Sequence, residues 1–157
     1  MGRFSEQVVI VTGGAKGIGR GICLAFAEAG AVVVCADVDD AAGKDIVSEA
    51  ASLDGAIYFR SGDVSQDAVC ADLVDYAVSD HGGVHVLCNN VGIQPTNSYL
   101  PAHEMPVDMW ERIIDVNLKS TFLMSRRAIL EMKKQGGGVI VTTASVQGLQ
   151  SAKSVSA

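Results

Sequence analysis

An apolar run, Val8 to Val11, leads directly into Thr12-Gly13-Gly14-Ala15-Lys16-Gly17-Ile18-Gly19, and Ile18 to Ala29 continues as an apolar stretch of helical length. A strand, a glycine turn and a helix start in that order build an anion site. Unpaired backbone N–H groups and the positive end of the helix dipole converge on one point there. The guest such a site suits is a pyrophosphate. Gly13 lets the chain turn out of the strand, Gly17 lets a phosphate approach the backbone, and Gly19 lets the helix pack closely on the sheet. The spacing is GxxxGxG, not the GxGxxG of the commonest dinucleotide fingerprint.

Beyond the first helix, Ala31 to Ala36 is nearly continuous apolar chain, the pattern of a strand buried on both faces, and it ends at Asp37. That carboxylate lies 18 residues past Gly19, at the strand end where an acid can accept hydrogen bonds from both ribose hydroxyls of an adenosine. A 2′-phosphate would be repelled there, and Asp39 and Asp40 follow with no arginine nearby, so NAD is favoured over NADP. Lys16 is a counter-signal: it either faces that phosphate or points to solvent.

Ala41 to Leu53 has helical periodicity, with Ile46, Val47 and Leu53 inward and Gly55 placed to terminate it. Ala56 to Phe59 reads as a third strand, followed by Gly62-Asp63-Val64-Ser65, with Ser65 an N-cap for a third helix over about Gln66 to Asp80. Asp63 either accepts from an adenine amino group, with Val64 packed on the ring, or is an ordinary turn aspartate. His81 and His85 are separated by a Gly82-Gly83 break and read as surface or loop-edge residues, not metal ligands.

Val84 to Cys88 is the fourth strand, ending in Asn89-Asn90-Val91-Gly92, in the crevice where open α/β sheets bind ligands. Ile93 to Val107, with Pro95, Pro101 and Pro106, is a loop long enough to be a substrate lip that includes Gln94. Asp108 reads as the cap of a long helix from Met109 to about Gln135, with Trp110, Ile113, Ile114, Leu118, Phe122 and Leu130 at core spacing. Asn117 is a poor helix former inside it. Gly136-Gly137-Gly138 end that helix, Val139 to Thr143 form a fifth strand leading to Ser145, and the chain from there to Ala157 is small, polar and without periodicity. Strand and helix alternate throughout, which gives an α/β, Rossmann-type doubly wound parallel sheet with helices on both faces and right-handed crossovers. Residues 1–157 form one domain's worth of chain.

The net charge of −6 argues against a nucleic-acid partner, since a phosphate backbone needs clustered Lys and Arg. Arg126-Arg127 and Lys133-Lys134 are the basic clusters, and both suit the end of one helix. No apolar run approaches the roughly 20 residues of a membrane span. The start, Met1-Gly2-Arg3-Phe4, enters the first strand without an apolar signal region, so the expected location is cytoplasmic. Cys23, Cys35, Cys70 and Cys88 stand far apart in mostly apolar surroundings, as buried free thiols would.

With these residues assembled, the chain resembles the classical short-chain dehydrogenase/reductase family. Thr12 to Gly19 fits the family's TGxxxGxG, Asn89-Asn90-Val91-Gly92 fits NNAG with Val for Ala, and Asn117 and Ser145 fall where two catalytic-tetrad members belong. The resemblance implies NAD as cofactor, held by Gly13, Ala15, Lys16, Gly17, Ile18, Gly19, Asp37, Val38, Asp63, Val64, Asn90 and Gly92. It implies hydride transfer to or from a small alcohol or carbonyl substrate, with Ser145 holding the substrate oxygen and Asn117 positioning a water in the proton relay. A homo-oligomer, dimer or tetramer, is also implied, the long fourth helix commonly packing between subunits in that family.

The family's acid/base is a tyrosine in YxxxK. Here Tyr58, Tyr76 and Tyr99 are followed four positions on by Gly62, Asp80 and His103. Family spacing from the serine places the tyrosine immediately past Ala157, so the resemblance implies a sequence incomplete at its C-terminus, with later strands of the fold missing and Val139 to Thr143 left as an apolar edge. Lowering a tyrosine from pKa ~10 to about 7 takes roughly 4 kcal/mol of phenolate stabilisation. Without the Tyr/Lys pair the 157-residue chain alone is expected to be nearly inactive, acid/base catalysis contributing on the order of 10²- to 10⁴-fold. Two other readings stand beside the enzyme: a truncated NAD-binding module without redox activity, and a non-redox Rossmann protein that binds another nucleotide.

Overall fold

The computed structural model describes residues 2–150. The expectation for the small, polar stretch at 151–157 lies outside the described residues. Five parallel strands, β1 (Val8–Thr12), β2 (Val32–Asp37), β3 (Ala56–Ser61), β4 (Val86–Asn89) and β5 (Val139–Thr142), form one sheet in the order β3-β2-β1-β4-β5. The crossover helices are α1 (Gly17–Glu28), α2 (Asp40–Glu49), α3 (Asp67–His81), α4 (Val107–Ile114) and α5 (Ser120–Lys134).

Because side chains alternate across a strand, the valine-rich runs feed two cores at once. Val8, Ile10, Val34 and Leu87 meet Leu73, Val74 and Ala77 of α3 and Leu123, Met124, Ala128 and Met132 of α5. Val9, Val11, Val33, Ile57 and Val86 meet Cys23 and Ala27 of α1 and Ile46 and Ala50 beside α2. Helices therefore cover both faces, as the alternation predicts.

Several local expectations differ. The long helix begins at Val107 with Pro106 as N-cap, so Asp108 is a first-turn residue and not the cap. It runs to Lys134 only through a π-helical turn, Asp115–Lys119, that contains Asn117. Its buried stripe is Ile113, Val116, Ser120, Leu123, Met124, Ala128 and Met132, while Trp110, Leu118, Phe122 and Leu130 face outward. The sequence carries two apolar stripes here, and only docking on the sheet decides between them. Val47 of α2 likewise turns outward. Gly55 does not close α2. A short 3₁₀ turn, Ala50–Ser52, does, and the Gly55 amide donates to the Ala27 carbonyl at 2.8 Å at a close backbone crossing. Gln66, not Ser65, occupies the N-cap of α3. His81 ends α3 against the rings of Tyr58 and Tyr76, and His85 Nδ1 accepts from the Val8 amide at 3.0 Å, so both are built into the fold. No helix among the described residues is long and apolar enough to cross a membrane.

One polar contact joins the strand ends at the centre of the sheet. Thr12, fully buried, accepts through Oγ1 from the amides of Asn90 at 3.1 Å and Val91 at 3.2 Å. All four cysteines are free and buried. Burial pushes the Cys70 and Cys88 thiols up to about 11, and a hydrogen bond with Cys35, then burial, raises Cys23.

Two outcomes follow from this packing. Thr12→Val keeps the shape but strands two amides, and is expected to cost about 1–3 kcal/mol in denaturant unfolding. At pH 8 the native protein is expected to leave its four thiols unreacted with a disulfide reagent such as DTNB, and to titrate all four once unfolded.

Candidate functional site

The crevice opens at the C-terminal ends of β1 and β4. Gly13 leaves β1 at φ 62° and its carbonyl, with that of Thr12, accepts from Asn90 Nδ2 at 3.2 and 3.3 Å. Asn90 Oδ1 in turn accepts from Thr143 Oγ1 at 3.2 Å, beyond the end of β5. The Asn90 carboxamide therefore braces the turn itself. Gly17, at φ 54°, starts α1 with open space where a side chain would stand. No side chain caps α1 at Lys16, so no capping oxygen answers its first-turn amides, and the helix dipole is directed at the same place. Gly19 is buried, and a Cβ there would lie 2.6 Å from Asn90 Nδ2.

Asp37 closes β2 as a fixed acceptor. Its Oδ2 takes the Ala15 amide at 3.0 Å and its Oδ1 the Asp39 amide at 3.1 Å, which latches the glycine turn to the neighbouring strand. Lys16 is exposed on the rim of the turn, and its Nζ pairs with Asp39 Oδ2 at 2.5 Å. Asp39 also caps α2 through the Ala42 amide, and that bond, then Lys16, holds its carboxyl below the usual range.

A cleft of about 410 Å³ runs from Gly13, Lys16, Gly17 and Ile18 past Asp37 and Val38 to Asn90, Gly92 and Thr143. Asp63 and Val64 line an adjoining hollow of about 70 Å³ that shares Gly13, Asp37 and Val38 with it. Ala15 and Gly19 lie behind the wall as buried supports. Burial raises the Asp63 carboxyl, but the Ser65 amide and hydroxyl and Arg112 outweigh it and bring the carboxyl below the ordinary value.

Asn117 and Ser145 line neither cavity. The Asn117 carboxamide, exposed in the π turn, makes two bonds to one residue: Oδ1 accepts from the Ile93 amide at 2.7 Å and Nδ2 donates to the Ile93 carbonyl at 2.9 Å, clamping the chain beyond β4. Ser145 is exposed two residues past Thr143, and its Oγ accepts from the Gln147 amide at 3.2 Å. In the loop after β4, Gln94 donates to Ser98 Oγ at 2.5 Å, and Ser98, fully buried, donates to the Pro95 carbonyl at 2.6 Å. Sequence reasoning did not single out Thr12, Thr143 or Arg112 as site residues. A buried threonine ending a valine run, with no strand partner for its hydroxyl, was the available signal for the first.

The family model described as short chain dehydrogenase matches residues 7–157. An uncharacterized oxidoreductase of Thermotoga maritima is 39% identical over 146 residues, 93% of this chain and 56% of that protein. A 3-alpha-(or 20-beta)-hydroxysteroid dehydrogenase of Mycobacterium bovis is 39% identical over 148 residues, 94% of this chain and 55% of its own. Among solved structures, a 7 alpha-hydroxysteroid dehydrogenase complexed with NADH and 7-oxo glycochenodeoxycholic acid superposes with a TM-score of 0.89 at 33% identity, over 97% of this chain and 58% of that one. The chain thus spans a little over half the length of the curated relatives it matches. A five-stranded parallel sheet, a GxxxGxG turn at its centre and these matches lead to one assignment: the chain belongs to the short-chain dehydrogenase family.

Proposed function

We propose that this protein is an NAD(H)-dependent dehydrogenase that moves hydride between the cofactor and a small alcohol or carbonyl substrate, with residues 1–157 serving as its dinucleotide-binding domain. The observation that carries this reading is the Asp37 carboxylate, fixed by two backbone amides on the rim of a cleft that also contains the glycine turn. Each carboxylate oxygen has a further lone pair beyond its amide, enough to accept one ribose hydroxyl. The open space at Gly17 and the uncapped start of α1 fit a diphosphate, which a Cβ or a capping side chain would displace. The solved relative bound to NADH supports the choice of ligand.

When bound, the nicotinamide would supply the hydride acceptor or donor; the protein's residues hold and orient. Exposed Ile18 and Val38 offer apolar walls to the cleft. Asn117 acts by fixing the backbone at Ile93 beside Gly92, which keeps that wall in place. Because Ser145 Oγ already accepts from Gln147, its own proton is the group it can offer to a substrate oxygen. The outward-facing Leu118, Phe122 and Leu130 on the long helix support a homo-oligomer.

Titration of NADH fluorescence tests the reading. Asp37→Ala is expected to weaken NADH binding by about 10- to 100-fold, the loss of hydrogen bonds to a charged acceptor. Asp37→Asn, which keeps an acceptor for the Ala15 amide but turns an NH2 toward the Asp39 amide, is expected to lose about tenfold in affinity and about 1–3 kcal/mol in stability. Equal affinity in all three proteins would remove the sugar-binding role. Asp39→Asn keeps a good helix cap and releases Lys16, so NADPH affinity is expected to rise about three- to tenfold with NADH affinity unchanged.

A further inference from the structure

Arg112 lies on α4, outside every motif discussed above, yet it reaches across to the loop between β3 and α3. Its Nη2 stands 2.9 Å from Asp63 Oδ2 and its Nη1 donates to Ser65 Oγ at 3.0 Å. The Ser65 amide fills a third position of the same set, donating to Asp63 Oδ1 at 3.0 Å. One planar guanidinium therefore fixes both the Asp63 and the Ser65 side chain, which a flexible ammonium could not do in the same geometry. Arg112, Asp63, Val64 and Val116 share the small hollow beside the main cleft with Asp37 and Val38. That hollow is about 70 Å³, its lining includes Val38, Val64, Val91 and Val116, and it adjoins the carboxylate assigned above to the ribose.

We infer that Arg112 is a positioning and specificity residue: by pairing with Asp63 it fixes the orientation of that carboxylate, so that the hollow accepts a base carrying an exocyclic amino group and rejects one carrying a keto oxygen. The inference rests on the nucleotide-binding reading proposed above. An ionised carboxylate can only accept hydrogen bonds, and Asp63 has one oxygen on Arg112 and the other on the Ser65 amide. The oxygen that faces Arg112 retains a lone pair, and an adenine amino group is a donor that can use it. A hypoxanthine oxygen in the same place would set acceptor against acceptor. Without Arg112 the carboxylate would be free to turn its open lone pair away from the hollow, and that change abolishes the distinction. The guanidinium is half exposed, its side chain keeping 50% of its accessible surface, so it meets the loop at the rim of the crevice and not as a core packing element.

The experiment compares NADH with its deaminated form, reduced nicotinamide hypoxanthine dinucleotide, by fluorescence titration of the full chain. The wild type is expected to prefer NADH by about tenfold or more, the value of one hydrogen bond to a charged group. In Arg112→Ala that ratio is expected to fall to about twofold, with reduced nicotinamide mononucleotide, which has no adenine, bound as by the wild type. Arg112→Lys is expected to restore part of the ratio, and Asp63→Asn to lose it as Arg112→Ala does; these two read the same ratio if Arg112→Ala does not fold. A ratio unchanged in Arg112→Ala or Asp63→Asn, while NADH still binds the wild type, overturns the role of Arg112 alone. A wild type that binds no NADH overturns the nucleotide reading with it.

Discussion

The hydroxyl of Thr12 is the joint on which the crevice depends. β1 and β4 are neighbours in the sheet, but their chains leave in different directions, and backbone that diverges from a ladder loses its partners. Thr12 supplies the missing acceptor for two successive amides of the departing chain, and the Asn90 carboxamide returns the favour to the carbonyls of Thr12 and Gly13. The two strand ends are thereby bound to one another at the point where they would otherwise splay. A turn built largely of glycine gets its shape from these neighbours.

That joint sits where the order β3-β2-β1-β4-β5 reverses direction. The chain first steps from β1 outward to β2 and β3, then crosses back to β4 on the other side of β1. Since each right-handed crossover places its helix on a face fixed by the direction of the step, α1 and α2 cover one face while α3 and α5 cover the other. Helices leaving on opposite faces open a gap above the middle strands, and the cleft of about 410 Å³ occupies it. The recognition groups are contributed by segments far apart in sequence, yet all of these segments begin at the C-terminal end of a strand.

The sequence disclosed what backbone chemistry dictates. Runs such as Val8 to Val11 and Val32 to Val34 have no partner but a buried sheet, and Gly13, Gly17 and Gly19 have spacing that only a tight turn into a helix explains. Asp37 was legible because it ends an apolar run on a fixed side of the sheet. What escaped were choices made between elements. Trp110, Leu118, Phe122 and Leu130 form a stripe as regular as the buried one, and nothing in their spacing tells which stripe meets α3 and the sheet. Lys16 and Asp39 are more than 20 positions apart and meet because α1 and α2 begin side by side; Arg112 finds Asp63 and Ser65 across almost 50. Long-range ion pairs leave no periodicity to read. Asn117 was visible as an oddity in a helix, but the use of both its amide atoms on Ile93 was not.

The π turn at Asp115–Lys119 does more than host Asn117. Carrying one residue more per hydrogen-bonded loop than the helix around it, it rotates everything upstream relative to everything downstream by roughly a quarter turn. The segment bearing Arg112 and the segment bearing Met124 and Ala128 can thus be aimed separately, one over the crevice and one onto the sheet, along what is otherwise a single rod. The surplus residue works as a universal joint in a drive shaft. Its presence frees the lip of the crevice from obeying the phase that the interior of the protein imposes on α5.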